Sequence, residues 1–262
     1  MKTSVILTGA SDGIGKALAI EFAKRGYALG LIARREALLR AVQTECKNLG
    51  APEVLIEVCD VTDEARFEQA LGKLDDAFSG AAIFIANAGV TGRTSFEPDA
   101  WAKSKHTLTV NVLSAVHGLE FMKYRMLKRR SGILCGVSSV AGSRGMPTSG
   151  AYSSSKAALT TYLETLRVDL NGHGISVVTI APGFIDTPMT KQNKGKMPFL
   201  STPEKAAKVF VDGIIAKKKW LIFPRFYGFI YPVLQMLPRG LFDFIMKKAY
   251  ASIRGPLLNE KH

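Results

Sequence analysis

Short apolar runs alternate with helical patterns along most of this chain. The runs lie at Ser4–Leu7, Ala28–Ala33, Val54–Asp60, Ala82–Ala86, Gly132–Ser138 and Ser176–Ala181. They are apolar at nearly every position, as strands are when helices cover both faces of a sheet. The helical patterns between them lie at Ala65–Leu74, near Trp101–Arg129 and at Tyr152–Leu170. Because such alternation requires crossover helices, it predicts an α/β fold with one doubly wound parallel sheet and helices on both faces.

A glycine-rich turn follows the first apolar run. Residues 8–15 read Thr-Gly-Ala-Ser-Asp-Gly-Ile-Gly, and a helical pattern begins directly after them. Glycines in such a turn let the backbone approach a pyrophosphate, and the helix N-terminus offers free N–H groups to the anion. In this interpretation Gly9 supplies the turn, Gly13 the close approach and Gly15 the tight packing of helix on strand. The turn therefore predicts a dinucleotide site.

The end of the second apolar run indicates which dinucleotide is bound. An acidic residue about twenty positions beyond such glycines usually binds the adenosine ribose, and arginine accommodates a 2′-phosphate instead. Ala33 occupies the place of the acid, and Arg34 and Arg35 follow it. Guanidinium groups match phosphate geometry, so we predict NADP(H) rather than NAD(H). The alternative is a solvated arginine pair at a strand end.

Tyr152 and Lys156 lie four residues apart, and Tyr152 follows Ser139 by thirteen residues. On a helix this spacing places both side chains on one face. A free phenol titrates near pH ~10, and a neighbouring cation favours the phenolate. The pair is therefore predicted to form a proton donor whose pKa is lowered by the lysine. The alternative is an exposed helix start that carries both residues by chance.

Six motifs in this order resemble the short-chain dehydrogenase/reductase family of the Tyr-x-x-x-Lys type, from about residue 2 to about residue 190. They are Thr8-Gly-x-x-x-Gly-x-Gly15, Asn87-Ala-Gly89, Asn111, Ser139, Tyr152-x-x-x-Lys156 and Pro182-Gly183. The resemblance implies a Rossmann fold with a nicotinamide cofactor across the carboxyl edge of the sheet. We expect residues 1–190 to form the dinucleotide-binding and catalytic core, and residues 191–262 a substrate lid and C-terminal helices of the same domain.

The resemblance also implies four catalytic roles. Tyr152 would donate a proton to the carbonyl oxygen as hydride is delivered, and Ser139 would orient that carbonyl. Lys156 would lower the tyrosine pKa and bind the nicotinamide ribose. Asn111 would hold a water on the proton path. Ser138 is the less favoured candidate for the serine role.

The cofactor-binding residues follow the same resemblance. Asp60 and Val61 resemble the adenine-contacting pair, and the backbone of Ile185 with the hydroxyl of Thr187 resembles the group that holds the nicotinamide carboxamide. The family often has Asn where this chain has Ala86. The complete predicted set is Gly9, Ser11, Asp12, Gly13, Ile14, Gly15, Arg34, Arg35, Asp60, Val61, Asn87, Ala88, Gly89, Tyr152, Lys156, Pro182, Gly183, Ile185 and Thr187.

The formal net charge of +13 is concentrated near the C-terminus. Residues 191–262 carry fourteen lysines and arginines against four acidic residues. Three interpretations remain open: a lid and core helix with a solubilising charge, an interfacial element on anionic lipid, or a basic dock for an acidic partner such as an acyl carrier protein. No aromatic stacking platform is interleaved with the basic residues, so we expect no nucleic-acid partner.

The same C-terminal segment is rich in large apolar residues. The stretch 220–237 is broken by Pro224, Arg225 and Pro232, and its longest uncharged run falls short of the ~18 residues of a spanning helix. Apolar residues after Thr187 usually build the substrate pocket in the resembling family. We therefore expect a lipophilic carbonyl or alcohol substrate. The alternatives are a 3-oxoacyl-[acyl-carrier-protein] reductase and a non-catalytic NADP(H)-binding, membrane-associated scaffold.

Cysteine and histidine usage bounds the remaining expectations. Cys46, Cys59 and Cys135 show no paired spacing, so neither a disulfide framework nor a metal site is predicted. The four histidines are scattered along the chain. A reducing cytoplasm is the expected location, with peripheral membrane contact as the interfacial interpretation would require. The resemblance further implies a homodimer or homotetramer.

Overall fold

The computed structural model describes residues 3–92, 98–192 and 197–254, without the side chains of residues 192, 249 and 251–254. The strands are β1 Ser4–Thr8, β2 Ala28–Ala33, β3 Val54–Val58, β4 Ile83–Ala86, β5 Gly132–Val137, β6 Ile175–Pro182 and β7 Trp220–Phe223. The helices are α1 Gly13–Lys24, α2 Glu36–Asn48, α3 Glu64–Ala77, α4 Ala100–Leu108, α5 Ser114–Arg129, α6 Gly150–Asp169, α7 Pro203–Ile215, α8 Tyr227–Met236 and α9 Arg239–Arg254.

The strands form one parallel sheet in the order β3-β2-β1-β4-β5-β6-β7. The chain reverses its direction of winding between β1 and β4, which lie side by side. The predicted doubly wound parallel sheet is therefore confirmed. Ligands in such folds bind outside the carboxyl ends of the strands, at this reversal.

Side chains on the strands alternate between two hydrophobic cores, one on each face. In β1, Val5 and Leu7 join the core that α1, α2 and α7 cover. Ile6 points the other way, into the core built with α3, α5 and α6. Both sides of each central strand are thus buried, which explains why the strands read as continuous apolar runs.

The predicted long helix near Trp101–Arg129 is interrupted. Residues Thr109–Leu113 form a single π turn between α4 and α5. A π turn accommodates one extra residue in a helix and is frequent at functional sites. Here it contains Asn111, whose side chain is fully buried.

The segment after residue 190 contributes both to the core and to the surface. Phe210 and Val211 of α7 are buried against α1 and the sheet, and β7 pairs with β6 from Thr179↔Trp220 to Pro182↔Phe223. The sequence analysis assigned neither element. Helices α8 and α9 follow β7. Within the described ranges, no helix combines the length and the apolar composition that crossing a bilayer requires.

Candidate active site

A cavity of about 500 Å³ lies at the carboxyl edge of the sheet. Every predicted cofactor-binding residue lines it, and so does Ser139. Among the predicted site residues, Asn111 lies behind the cavity wall. The sequence analysis did not assign a site role to several further lining residues: Ala33, Cys59, Val90, Thr91, Val110, Val137, Pro188, Met189 and Thr190.

The glycine turn is packed too tightly for side chains. Gly9 has φ +66°, and Gly13, the first residue of α1, has φ +54°. A Cβ on Gly15 would lie 2.2 Å from the carbonyl oxygen of Gly9. Asp12 caps α1 by accepting a hydrogen bond from the Gly13 N–H at 2.7 Å. The N-terminus of α1 therefore borders the cavity through nearly bare backbone, which fits a pyrophosphate.

Thr8 and Asn87 join this turn to the end of β4. The Asn87 Nδ2 donates to the carbonyl oxygens of Thr8 at 2.8 Å and of Gly9 at 3.2 Å. The Thr8 Oγ1 accepts from the backbone N–H groups of Asn87 and Ala88, both at 3.0 Å. The sequence analysis gave Thr8 no role beyond opening the motif. Its position at the strand end, directly before the glycines, was the available signal.

Both arginines after β2 border the cavity, and each pairs with a carboxylate. Arg34 Nη1 lies 3.3 Å from Asp60 Oδ2. Arg35 Nη2 lies 3.2 Å from Asp12 Oδ2 and from Ser11 Oγ. More than half of each arginine side chain is exposed, so both guanidinium groups remain accessible to a phosphate.

Asp60 is held in its charged form. Burial by itself would raise its pKa, but hydrogen bonds from Thr62 and the ion pair with Arg34 outweigh this effect, so the pKa lies below its ordinary value. The Thr62 backbone N–H and hydroxyl donate to Asp60 Oδ1 at 3.0 and 2.8 Å. This carboxylate is therefore a fixed acceptor at the end of β3.

Ser139, Tyr152 and Lys156 meet at the other end of the cavity. The Ser139 hydroxyl lies near enough to the Tyr152 phenol to favour its ionised form. Lys156 is 5 % exposed, and its Nζ donates to the carbonyl oxygen of Val137 at 2.8 Å. The same Nζ lies 5.8 Å from the centre of the Tyr152 ring. The helix thus presents both side chains on one face.

The pKa of Tyr152 corrects one expectation. Burial raises it above the ordinary value, and the hydrogen bond with Ser139 offsets this only in part. We predicted a lowered pKa because of the nearby lysine. That prediction is wrong for this arrangement, since the Lys156 ammonium donates to Val137 and the partly dry surroundings disfavour a phenolate.

Asn111 organises the wall beneath Lys156. Its Nδ2 donates to the Val90 carbonyl at 2.9 Å and to Ser155 Oγ at 3.0 Å, and its Oδ1 accepts from the Val90 N–H at 2.8 Å. A Cβ on Gly89 would lie 3.3 Å from Asn111 Oδ1 and 3.5 Å from Lys156 Nζ. Asn111 therefore pins the loop after β4 to α6. Its role on a proton path stays a prediction.

The two serines at the end of β5 have different surroundings. Ser138 Oγ donates to the carbonyl oxygen of Lys156 at 2.8 Å and pairs with Thr160 Oγ1 at 2.7 Å. Ser139 Oγ instead accepts from the Ala141 N–H at 3.1 Å and lies beside the Tyr152 hydroxyl. Ser138 is committed to structure, so the geometry favours Ser139 for contact with a substrate.

The loop after β6 forms one wall of the cavity. Thr190 Oγ1 donates to the Ile185 carbonyl at 2.6 Å and accepts from the Thr187 N–H at 2.9 Å. A Cβ on Gly183 would lie 2.4 Å from the ring of Tyr227, at the start of α8. The sequence analysis missed Thr190 and Tyr227 because both act through contacts that only the folded loop creates.

The buried ammonium gives the protein a testable dependence on pH. Burial lowers the pKa of Lys156 to about 8 from an ordinary 10.5, so below pH 8 the charged lysine destabilises the native state. We expect Lys156→Met to raise the thermal unfolding midpoint at pH 7. The gain should shrink as pH rises from 8 to 10.5. Over this range the lysine of the parent protein loses its proton first in the folded state, near pH 8, and then in the unfolded state, near pH 10.5. Calorimetry across this range is the measurement, and a gain independent of pH would contradict the assignment.

Comparison with known proteins places this geometry in a family. The model of the short chain dehydrogenase family matches residues 3–198. A Myxococcus xanthus protein described as an uncharacterised oxidoreductase is 35% identical over 240 residues, which cover 92% of this chain and 94% of that protein. An 11-beta-hydroxysteroid dehydrogenase of Pinus massoniana is 30% identical over 249 residues, covering 87% of this chain and 69% of that protein.

Solved structures agree with the fold. An alcohol dehydrogenase of the archaeon Thermococcus sibiricus, complexed with 5-hydroxy-NADP, is 25% identical with a TM-score of 0.74 and covers 84% of this chain and 95% of that one. A Burkholderia phymatum short chain dehydrogenase/reductase in complex with NAD is 22% identical with a TM-score of 0.78, covering 88% and 92%. From its glycine turn to the Ser139, Tyr152 and Lys156 cluster, this chain belongs to the short-chain dehydrogenase/reductase family of oxidoreductases.

Proposed function

We propose that the protein transfers hydride between NADP(H) and a carbonyl or secondary alcohol of a lipophilic substrate. The observation that carries the proposal is the meeting of Ser139, Tyr152 and Lys156 at one end of a cavity whose other end is bordered by Arg34 and Arg35. Groups that can bind and protonate a carbonyl oxygen at the first end, and an anion site at the second, are what hydride transfer from a nicotinamide dinucleotide to a carbonyl requires.

Residues of this chain fit the cofactor at three places. The backbone of α1's first turn would hold the pyrophosphate, the two arginines a 2′-phosphate, and Ile185 with Thr187 the carboxamide. When bound, the nicotinamide would supply or accept the hydride. The carboxylates of Asp12 and Asp60 already hold the arginine side chains at the cavity edge, which reduces the entropy lost when they bind an anion.

The chain's own groups handle the proton. Ser139 and Tyr152 place two hydroxyl groups side by side, so both can donate to one carbonyl oxygen and stabilise its developing charge. Tyr152 then gives up its proton as the alkoxide forms. The raised pKa of the buried phenol keeps it protonated until that moment. To stabilise the phenolate left behind, the ammonium of Lys156, 5.8 Å from the ring centre, would have to turn from the Val137 carbonyl towards the phenol oxygen.

Cofactor preference tests the arginine assignment. We expect kcat/KM with NADPH to exceed that with NADH, and Arg34→Leu/Arg35→Leu to lower the NADPH value by roughly 10²-fold, since a hydrogen bond to a charged group contributes about 1.5–3 kcal/mol. The NADH value should hardly change. The converse variant, Ala33→Asp with both arginine replacements, should favour NADH. Equal loss with both cofactors would show that the arginines stabilise the fold instead of reading the phosphate.

The expected substrate class rests on apolar side chains in the cavity lining and beside it. The rings of Phe184, Phe199, Phe226 and Tyr227 pack against one another beside the loop after β6. Pro188 and Met189 add apolar surface to the cavity lining. A screen with NADPH of keto-lipids, steroids, quinones and 3-oxoacyl thioesters separates the candidates. A preference for a carrier-bound 3-oxoacyl thioester would identify the protein as a 3-oxoacyl-[acyl-carrier-protein] reductase instead. No turnover of any compound in the screen would favour a non-catalytic, cofactor-binding scaffold.

The free thiols support a proposal for the compartment. Cys46, Cys59 and Cys135 are free and buried, and burial raises the pKa of the Cys59 thiol. These thiols are compatible with a reducing compartment, and we propose the cytoplasm as the site of the activity.

A further inference from the structure

Helix α8 exposes a continuous apolar stripe. Its outward side chains recur at helical spacing and are Phe229, Val233 and Met236; Phe226, directly before the helix, continues the stripe and also packs on Phe199. Phe229 is 77% and Met236 82% exposed, which is high for aromatic and thioether side chains. On the opposite side of α8, Tyr227 and Tyr231 are buried. The helix carries no charged residue, so its solvent-facing side is as apolar as its buried side.

Helix α9 continues the same kind of surface. Leu241, Phe244 and Ile245 are exposed on its outward side, while Phe242 is buried. One turn beyond Phe244, the ammonium of Lys248 lies 4.5 Å from the centre of the Phe244 ring. The ammonium thus lies over the face of the ring in a cation–π contact, which places a positive charge directly beside the apolar surface.

Positive charges surround this pair of stripes. Arg225 precedes α8, Arg239 begins α9, and Lys247 and Lys248 lie near the end of the described side chains; all four are exposed. Asp243 is the acidic residue between them. An apolar stripe bordered by cations is complementary to acyl chains beneath anionic headgroups. A second copy of the chain would bring a face of the same charge, so it fits less well.

The inner sides of α8 and α9 contact loops that adjoin the catalytic cavity. Arg144, between Ser139 and Tyr152 in the chain, donates to the Leu237 carbonyl at 3.0 Å and stacks on Phe242 at 4.3 Å. On the inner side, Tyr227 donates to the Pro198 carbonyl at 2.7 Å. The helix pair is therefore fixed to the loops that border the cavity.

We infer that the face formed by α8 and α9, defined by Phe226, Phe229, Val233, Met236, Leu241, Phe244, Ile245, Lys247 and Lys248, docks on the surface of anionic phospholipid membranes. The helices lie along that surface, with the apolar stripes among the acyl chains and the lysines at the headgroups. A lipophilic substrate dissolved in the same membrane would then meet the protein beside its cavity.

Vesicle co-sedimentation of the full chain tests this inference. We expect binding to phosphatidylcholine vesicles that contain phosphatidylglycerol, with weaker binding to pure phosphatidylcholine and at high salt. Phe229→Gln/Met236→Gln should lose binding to both kinds of vesicle. Lys247→Gln/Lys248→Gln should lose roughly 30-fold in affinity for the anionic vesicles alone, at about 1 kcal/mol per lysine.

The matched control is Leu38→Gln/Leu49→Gln, which removes two exposed apolar side chains near the β3 edge of the sheet. It should bind as the parent does, and equal unfolding midpoints would show that all variants are folded. The measurement needs no turnover, so it is independent of the proposed reaction. Parent binding that survives Phe229→Gln/Met236→Gln, or no binding at all, would overturn the inference. A parent dimer that this variant converts to monomers, without vesicle binding, would assign the face to a second copy.

Discussion

Replacing Tyr152 by phenylalanine should reduce turnover by roughly 10²–10⁴-fold, the range expected when a positioned general acid is removed. The ring would keep its place beside Lys156, because only the hydroxyl is lost. Ser139 would still donate to the carbonyl oxygen, but no group at that position could release a proton to the alkoxide. The affinity for NADPH should hardly change, because the phenylalanine ring fills the same part of the cavity.

Two measurements check this expectation. Steady-state kinetics on the best substrate of the screen gives kcat, and a fluorescence titration gives the NADPH affinity. Tyr162→Phe is the matched control: Tyr162 lies on the same helix and its hydroxyl contacts Glu120, away from the cavity. That variant should retain parental turnover. A kcat of Tyr152→Phe within about tenfold of the parent would remove Tyr152 from the role of proton donor.

Gly15→Ala should be the most damaging single-methyl addition in the chain's glycine turn. The new Cβ would meet the Gly9 carbonyl oxygen at 2.2 Å and the Asn87 amide at 2.6 Å. Both belong to the turn that Asn87 fastens to β4, so α1 has to move away from the strand. Overpacking typically costs about 1–3 kcal/mol, which corresponds to a fall of roughly 2–12 °C in unfolding midpoint for a chain of this size. NADPH affinity should fall at least about tenfold, since the first turn of α1 is displaced.

Gly228→Ala provides the comparison. A Cβ there meets nothing within 4 Å, and alanine in a helix is favoured over glycine by about 0.5–1 kcal/mol. Its unfolding midpoint and NADPH affinity should match or slightly exceed those of the parent. Parental stability and affinity in Gly15→Ala would show that the turn has more room than the structure gives it.

The strands and the motif positions were predictable because their signals are local. Strands such as Ser4–Thr8 are apolar throughout since both faces are covered, and the glycines of the turn are required by backbone geometry within a few residues. Once the strands are known to be parallel, their carboxyl ends must meet at one edge. Ser139 and Asn87 then have to lie at the same edge of the sheet as the glycine turn, although they are far from it in sequence.

Other features depend on contacts that no local pattern encodes. Strand β7 was missed because its four residues lie within a longer apolar stretch, and its partner β6 is some forty residues earlier. The π turn at Asn111 shifts the helical period by one residue. No residue type in 109–113 is specific to such a turn, so the sequence did not predict it. Tyr227 and Arg144 donate to the carbonyl oxygens of Pro198 and Leu237, which only the folded chain brings to them.

Local sequence thus determined six strands of the sheet, the motifs that follow them and the family resemblance. Backbone sterics and the burial of both sheet faces act on consecutive residues, so they leave local patterns. The tertiary structure decided the rest: that β7 extends the sheet beside β6, that the tyrosine pKa is raised, and that α8 turns its apolar stripe outward. Each of these depends on which atoms lie around a group in space. Burial and electrostatic interactions are set by those atoms, most of which are distant in the sequence.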